Sequence, residues 1–277
     1  MIEIFYYIII GIGTGLLSGL LGVGGGIMTV PALVLILQYN PLFHTANTMH
    51  IAASTSLVTM AMTSTSSAYA YHRREALILP IFWRMLPGLC VGPVSGALLS
   101  HAISNELLIQ LFALFLIGIA IYLFLDAKRS KPIPHKKHQF SNHCFSTQEK
   151  WMLILGSLIV GNLSTIFGVG GGILMVPLFL LLHCSMQEAA GTATLCGIIS
   201  ALVGSLLLSY LAPISKLPYT LGNIYWPAAL FIGIASMICA PFGTRLAFYL
   251  KTAVLKQLFS GVLLIAAWVL FRGSMTT

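Results

Sequence analysis

A chain of 277 residues that is 58% hydrophobic and only 7% charged is too apolar for a soluble globular domain, in which about a quarter of the residues are charged. The net charge of +8 does not indicate a nucleic-acid-binding surface, because many of the basic residues lie in or beside one polar linker. These residues are Lys128, Arg129, Lys131, Lys136, Lys137 and Lys150. We therefore predict a polytopic membrane protein that contacts the lipid bilayer and does not bind nucleic acid.

The first half of the chain, residues 1–126, contains long uncharged runs, and a spanning helix needs about 20 apolar residues. Because the runs are continuously apolar and do not alternate, they predict an all-α fold and not a barrel. The N-terminus lacks a basic region and a cleavage site, so we expect its apolar segment to remain as a membrane helix. The predicted helices of this half are 4–21, 27–38, 48–71, 77–100 and 105–126.

A hydrophilic linker, residues 127–150, separates this half from a second one, residues 151–277. The positive-inside rule places this polybasic linker in the cytoplasm. The predicted helices of the second half are 151–167, 173–183, 188–210, 224–249 and 254–271. The segments 27–38 and 173–183 are only about 16–18 Å long, too short for a hydrocarbon core of roughly 30 Å. We therefore predict eight long spans and two short or re-entrant helices.

A glycine-rich motif occurs once in each half, as "GLLGVGGGIMTVPAL" at 19–33 and "TIFGVGGGILMVPLF" at 165–179, with eight identical positions of fifteen. A second pair of similar segments is "MHIAASTS" at 49–56 and "MQEAAGTA" at 186–193. A weaker third pair, "GPVSGALLS" and "APFGTRLAF", follows in the same order. The chain is therefore predicted to contain two homologous repeats of about five helical elements each.

The charges of the connecting loops predict how the two repeats are oriented. The connection at 72–76 carries two arginines, while its counterpart at 211–223 carries one lysine. The connection at 101–106 has no Lys or Arg, whereas the counterpart near residue 250 has three basic residues. This swapped bias predicts inverted repeats.

The glycine motifs predict broken helices, since each glycine costs about 1 kcal/mol relative to alanine in a helix. Unwound backbone at membrane depth is tolerated only inside the protein or beside a water-filled cavity. The helix that resumes after each break exposes N–H groups and a positive dipole end, and two such ends facing each other would bind an anion. The candidate residues are Gly22, Gly24, Gly25, Gly26, Gly168, Gly170, Gly171 and Gly172. The alternative is close helix packing, which GxxxG spacing predicts for Gly11, Gly15 and Gly19.

Hydroxyl side chains near the motifs are further candidates for an anion site. Ser18 and Ser164 lie four residues before each motif, and Thr55 and Thr192 lie in the second pair of similar segments. Their alternative role is hydrogen bonding between helices. More hydroxyls, from Thr59 to Ser67, continue the polar face of the predicted helix 48–71 and would either line a path or join helices.

None of the six acidic residues falls in the middle of a predicted span, and a cation carrier or carboxylate proton relay normally needs one there. The substrate is therefore predicted to be an anion or a neutral solute. Arg84 and Arg245 would either attract an anion or extend to the membrane interface. His135, His138, His143 and Cys144 in the linker match no standard metal site, and we predict no metal, cofactor or catalytic residues.

With both glycine motifs followed by "AASTS" or "AAGTA", the chain resembles the TauE/SafE sulfite exporter family of bacterial membrane permeases. The resemblance implies eight spans and transport of small sulfur-containing anions across the cytoplasmic membrane. The substrate contacts it implies are residues 22–26 and 168–172, with Thr55 and Thr192. The sequence departs from the family at Ser54, where glycine is typical, as at Gly191.

We therefore expect a secondary permease or exporter for a small sulfur-containing anion such as sulfite, a sulfonate or thiosulfate. The alternatives are an anion channel, a carboxylate carrier, or a membrane enzyme or accessory subunit. Valine at Gly25 or at Gly171 is expected to abolish transport in both cases. The sequence leaves the direction, the coupling ion and the oligomeric state open.

Overall fold

The computed structural model describes residues 2–39, 48–129, 147–182, 184–211, 219–250 and 252–275. The helices in these residues are α1 (Ile2–Leu21), α2 (Gly26–Tyr39), α3 (Thr48–His72), α4 (Leu79–Ala102), α5 (Asn105–Arg129), α6 (Thr147–Phe167), α7 (Gly172–Leu181), α8 (Met186–Leu211), α9 (Trp226–Tyr249) and α10 (Thr252–Met275). A short antiparallel hairpin, β1 (Thr220–Leu221) and β2 (Ile224–Tyr225), precedes α9. The predicted all-α architecture is confirmed.

Seven described helices are long and apolar enough to cross a membrane, namely α1, α4, α5, α6, α8, α9 and α10. Helix α3 has 25 residues, which is long enough, but its many serines and threonines make it less apolar. Because most of its polar side chains are buried in the protein, α3 does not need an apolar surface to lie at membrane depth. The count of eight spans stays a prediction, with α3 as the eighth.

The two short helices follow the glycine motifs, as predicted. Helix α2 has 14 residues and α7 has 10, fewer than the roughly 20 needed to cross the bilayer. The predicted helix 224–249 begins two residues later, because Ile224 and Tyr225 form the second strand of the hairpin. Pro227 then occupies the first turn of α9, where its missing N–H costs no helical hydrogen bond.

Helices α5 and α6 extend into both ends of the predicted linker, to Arg129 and from Thr147. Residues 130–146 lie outside the described residues, and so do His135, His138, His143 and Cys144. The cytoplasmic position of the linker and the domain boundaries at 126 and 151 stay predictions.

The helices pack in pairs that cross between the two halves of the chain. Helix α1 packs on α9 and α6 packs on α4, while α3 contacts α9 and α8 contacts α4. Helices α3 and α8 also contact each other, as do α5 and α10. Exchanging each of these eight helices for its counterpart in the other half leaves this set of contacts unchanged, as a twofold relation between the halves requires. The contact of α2 with α10, however, has no counterpart of similar extent between α7 and α5. The inversion of one half relative to the other stays a prediction.

Glycines on α1 bring it close to α9. A Cβ added at Gly11 would lie 2.8 Å from the carbonyl oxygen of Ile232, and one at Gly15 would lie 2.8 Å from Cα of Ser236. A Cβ at Gly19 would lie 2.6 Å from the backbone nitrogen of Thr244. These three glycines therefore serve close helix packing, the role that their GxxxG spacing predicts.

Candidate functional site

Each glycine motif forms a loop between a long helix and a short one. The first glycine loop (residues 22–25) has φ angles of 71°, 78° and 85° at Gly22, Gly24 and Gly25. The second glycine loop (residues 168–171) has φ angles of 67° and 63° at Gly168 and Gly170. This left-handed region costs a residue with a Cβ about 1–2 kcal/mol, so glycine is what lets the chain follow these loops.

The two glycine loops are in contact with each other. A Cβ added at Gly26 would lie 2.6 Å from Cα of Val169, and one at Gly172 would lie 2.5 Å from Cα of Val23. The two contacts correspond, since Gly26 and Gly172 occupy the same place in the two motifs, as do Val23 and Val169. The structure thus brings the starts of α2 and α7 together in the interior of the protein.

Several backbone N–H groups of the loops lack a hydrogen-bond partner in the part of the chain that the structure describes. In α2 the helical bonds begin with Met28 and Thr29 donating to Gly25 O at 3.1 and 3.2 Å, and in α7 with Met175 donating to Gly171 O at 2.9 Å. The N–H groups that precede these have no partner among the described residues at Gly24, Gly25, Gly26, Gly170 and Gly172. These glycines are buried, so water at the protein surface does not satisfy their donors. Two helix N-termini with free donors therefore meet in one buried place.

Ser18 and Ser164 lie at the last turn before each loop. The Ser18 carbonyl accepts the Gly22 N–H at 2.9 Å, and the Ser164 carbonyl accepts the Val169 N–H at 3.2 Å. The buried Ser18 hydroxyl has no partner among the described residues, whereas the Ser164 hydroxyl donates to Ser200 Oγ at 3.5 Å. The structure therefore places both predicted serines beside the loops.

Thr55 and Thr192 contact the starts of other helices. Thr55 Oγ1 accepts the N–H of Tyr225 at 3.0 Å, and Thr192 Oγ1 accepts the N–H of Ile78 at 3.0 Å. Tyr225 and Ile78 are the N-cap residues of α9 and α4. Both hydroxyls therefore stabilise helix starts in corresponding places of the two halves, and their contact with a substrate stays a prediction.

Ala53 of α3 and Ala190 of α8, which lie two positions before Thr55 and Thr192, are the residues that face the glycine loops. A Cβ added at Gly168 would overlap the backbone of Ala53, and one at Gly22 would overlap that of Ala190. Two residues along a helix correspond to a rotation of about 200°, which turns Thr55 and Thr192 to the opposite side. Proximity in the sequence therefore does not bring these threonines to the loops.

Thr14, Met60 and Ser200 lie at the loops although the sequence does not single them out, and Ser64 of the polar face of α3 lies there too. A Cβ added at Gly24 would lie 2.9 Å from Ser64 Oγ, and this buried hydroxyl has no partner among the described residues. Ser200 Oγ accepts the N–H of Gly171 at 3.4 Å. The signal for Ser64 was the polar face of α3, but that face carries many hydroxyls and the sequence does not show which of them meet the loops.

Met60 lies between the two glycine loops. Its Sδ atom would be 2.6 Å from a Cβ added at Gly170 and 2.9 Å from one added at Gly26. Its methyl group occupies the space that side chains at Gly24 and Gly170 would need. The Met60 side chain is fully buried. It therefore fills the gap that the missing side chains leave.

The electrostatic potential at the loops comes from backbone dipoles and not from charged side chains. The nearest neighbours of the loop glycines, within the described residues, are backbone, apolar and hydroxyl groups. Arg84 donates to Pro80 O within its own helix at 2.7 Å, and the Arg245 guanidinium carbon lies 5.8 Å from the ring centre of Phe242. The positive potential at the loops is therefore that of two helix N-termini, which favours an anion over a cation.

Comparisons with known proteins agree with the description of a membrane protein. The chain matches the family described as Sulfite exporter TauE/SafE over residues 7–270. A protein of Haemophilus influenzae named "Probable membrane transporter protein" is 25% identical over 264 residues, which cover 94% of this chain and 95% of the relative. A protein of Methanocaldococcus jannaschii, likewise named a probable membrane transporter protein, is 28% identical over 262 residues, with coverage of 92% and 91%. No solved structure matches the chain at a significant level.

The fold and these matches define the class of the protein, a polytopic α-helical membrane transporter. The chain belongs to the TauE/SafE sulfite exporter family, and the resemblance inferred from the two glycine motifs is confirmed.

Proposed function

We propose that this transporter carries a small sulfur-containing oxyanion, such as sulfite, a sulfonate or thiosulfate, and binds it between the two glycine loops. The observation that carries the proposal is the contact between the loops, where two helix N-termini with free N–H donors meet in the interior. Oxyanion oxygens accept such bonds, and the hydroxyls of Ser18 and Ser64 are buried donors without partners in the described chain. The description of the family supports sulfur as the central atom.

The transport mode we propose is that of a secondary permease in the cytoplasmic membrane. The two halves exchange helix contacts as a twofold relation requires, and the two loops lie where the halves meet. Two repeats that enclose this place would expose it to each side of the membrane in turn. The names of the relatives support transport over an enzymatic activity. We place the polybasic linker on the cytoplasmic side, as its charge favours.

Flux measurements on the full chain in proteoliposomes test this function. The panel contains sulfite, thiosulfate, methanesulfonate, sulfate and acetate, each with imposed pH or sodium gradients. We expect saturable flux of at least one of the first three anions, and little flux of acetate. Flux of acetate without flux of any sulfur anion would instead establish a carboxylate carrier, and flux that does not saturate would establish a channel.

A substitution at Ser64 tests the position of the site. Ser64→Ala is expected to raise the KM for the transported anion about tenfold, since a hydrogen bond to a charged group contributes about 1.5–3 kcal/mol. The melting temperature should not fall, because the hydroxyl has no partner in the described residues and alanine fits the same space.

Ser67→Ala is the matched control. Ser67 is also a buried serine of α3 whose hydroxyl lacks a partner in the described part of the chain, but it is not among the nearest neighbours of the loop glycines. Its KM should stay at the wild-type value. Equal KM values for wild type and Ser64→Ala would remove Ser64 from the binding site.

A further inference from the structure

The two halves of the proposed site differ in side-chain length at Met60. The alignment of the second motif, which pairs Thr55 with Thr192, pairs Met60 of α3 with Gly197 of α8. Met60 has a long side chain that lies between the two loops, and its counterpart has no side chain at all. The site is therefore unequal although the two glycine loops are copies of each other.

The space beside Met60 and the space beside Gly197 differ in the same way. The Met60 thioether fills the positions where side chains at Gly24, Gly26 and Gly170 would lie. A Cβ added at Gly197 would meet only Ser64 Oγ, at 3.6 Å, which is ordinary van der Waals contact. Beside Gly197 there is thus room for a methyl group, whereas the space beside Met60 is filled.

The chemistry of Met60 does not suit it to bind an anion. A thioether has no hydrogen-bond donor, and its sulfur is only a weak acceptor. It is flexible and apolar, and it adapts its shape to its neighbours. The effect of Met60 on an anion held by the loop N–H groups is therefore to limit the volume that the anion and its substituent occupy.

We propose that Met60 is a specificity-determining residue that sets the largest anion this transporter accepts, with Gly197 leaving space beside Ser64. This inference rests on the proposed function, because it concerns the same site. The Met60 side chain admits an oxyanion with a small substituent and excludes one with a longer chain. A packing role alone would stabilise the loops without any effect on substrate size.

The test uses a series of anions with one charge and increasing length, namely methanesulfonate, ethanesulfonate and propanesulfonate. Flux of each is measured for the full chain in proteoliposomes, together with the melting temperature of each variant. Met60→Ala is expected to raise the ratio of propanesulfonate to methanesulfonate kcat/KM about tenfold, since a methylene that fits or does not fit a pocket changes specificity by about 10–200-fold.

Gly197→Ala is the opposite variant, because its methyl group reduces the space beside Ser64. It is expected to lower the same ratio several-fold. Alanine is the better helix former, so this variant should fold even if Met60→Ala leaves a cavity that lowers stability. The two substitutions thus move the size preference in opposite directions, which a general loss of folding does not do.

Met62→Ala is the matched control for Met60→Ala. Met62 lies on the same helix but faces α9, where its Sδ would be 2.5 Å from a Cβ added at Gly233. The Met62→Ala variant should keep the wild-type ratio of propanesulfonate to methanesulfonate kcat/KM. Wild-type transport with an unchanged size preference in both Met60→Ala and Gly197→Ala would overturn this inference alone. A wild-type protein that transports none of the sulfur anions would overturn the proposed function, and this inference with it.

Discussion

Replacing Gly22 with alanine is expected to destabilise the protein by about 2–5 kcal/mol, the sum of a left-handed backbone and an overpacked contact. Gly22 has a φ of 71°, and the added Cβ would overlap the backbone of Ala190 in α8. Helix backbone cannot move aside as a flexible side chain does, so the loop or the helix must shift. Gly168→Ala should behave alike, because it has a φ of 67° and meets the backbone of Ala53 in α3.

The measurement is thermal unfolding of the purified protein in detergent, with membrane insertion checked separately. Gly118→Ala is the control, since a Cβ there would have no neighbour within 4 Å among the described residues. Its melting temperature should equal or exceed that of wild type, because alanine is the better helix former. A Gly22→Ala protein as stable as Gly118→Ala would contradict the close contact between the first glycine loop and α8.

Local features of the sequence predict most of the fold. Long uncharged runs contain most of each spanning helix, because the bilayer demands about 20 apolar residues wherever a helix crosses it. The glycine motifs predict the two breaks for an equally local reason, the cost of glycine in a helix. That the two loops touch follows only from their duplication together with the twofold packing, which local properties do not determine.

The contacts within the site depend on helix rotation and therefore could not be predicted. Thr55 and Ser64 both lie on the polar face of the sequence 48–71, yet Ser64 lies at the first glycine loop and Thr55 caps α9. Hydroxyls occur at almost every turn of α3, so hydrophobic periodicity does not show which side faces the loops. The neighbouring helices decide this, and they lie far away in the sequence.

The repeated motif also suggests that the two glycine loops have the same backbone conformation and the same hydrogen bonds, but the structure shows differences in both. Gly25 has a φ of 85°, whereas Gly171 has a φ of −58° and is the N-cap of α7. Ser200 accepts the Gly171 N–H, but its counterpart Thr63 donates instead to Thr59 O at 2.7 Å. Valine at Gly25 is therefore expected to impair folding as well as transport, because it adds backbone strain that valine at Gly171 does not.

Gly170→Ala is expected to reduce anion flux by about 10–100-fold while the protein still folds. Gly170 has a φ of 63°, so alanine adds about 1–2 kcal/mol of backbone strain. The new Cβ would meet only the Sδ and methyl group of Met60, which can turn away. The methyl group and the displaced thioether would then obstruct the free N–H groups, and one lost hydrogen bond to an anion costs about 1.5–3 kcal/mol.

Two comparisons separate this obstruction from general damage. Gly13→Ala also places a methyl group against a methionine, with Met28 Cε 2.9 Å away, but on α1 outside the loops, and it should keep its flux. Combining Gly170→Ala with Met60→Ala should restore part of the flux, because the second change removes the displaced side chain. Such non-additivity is expected of residues that are in contact with each other. Normal flux in Gly170→Ala would show that the anion does not bind between the glycine loops.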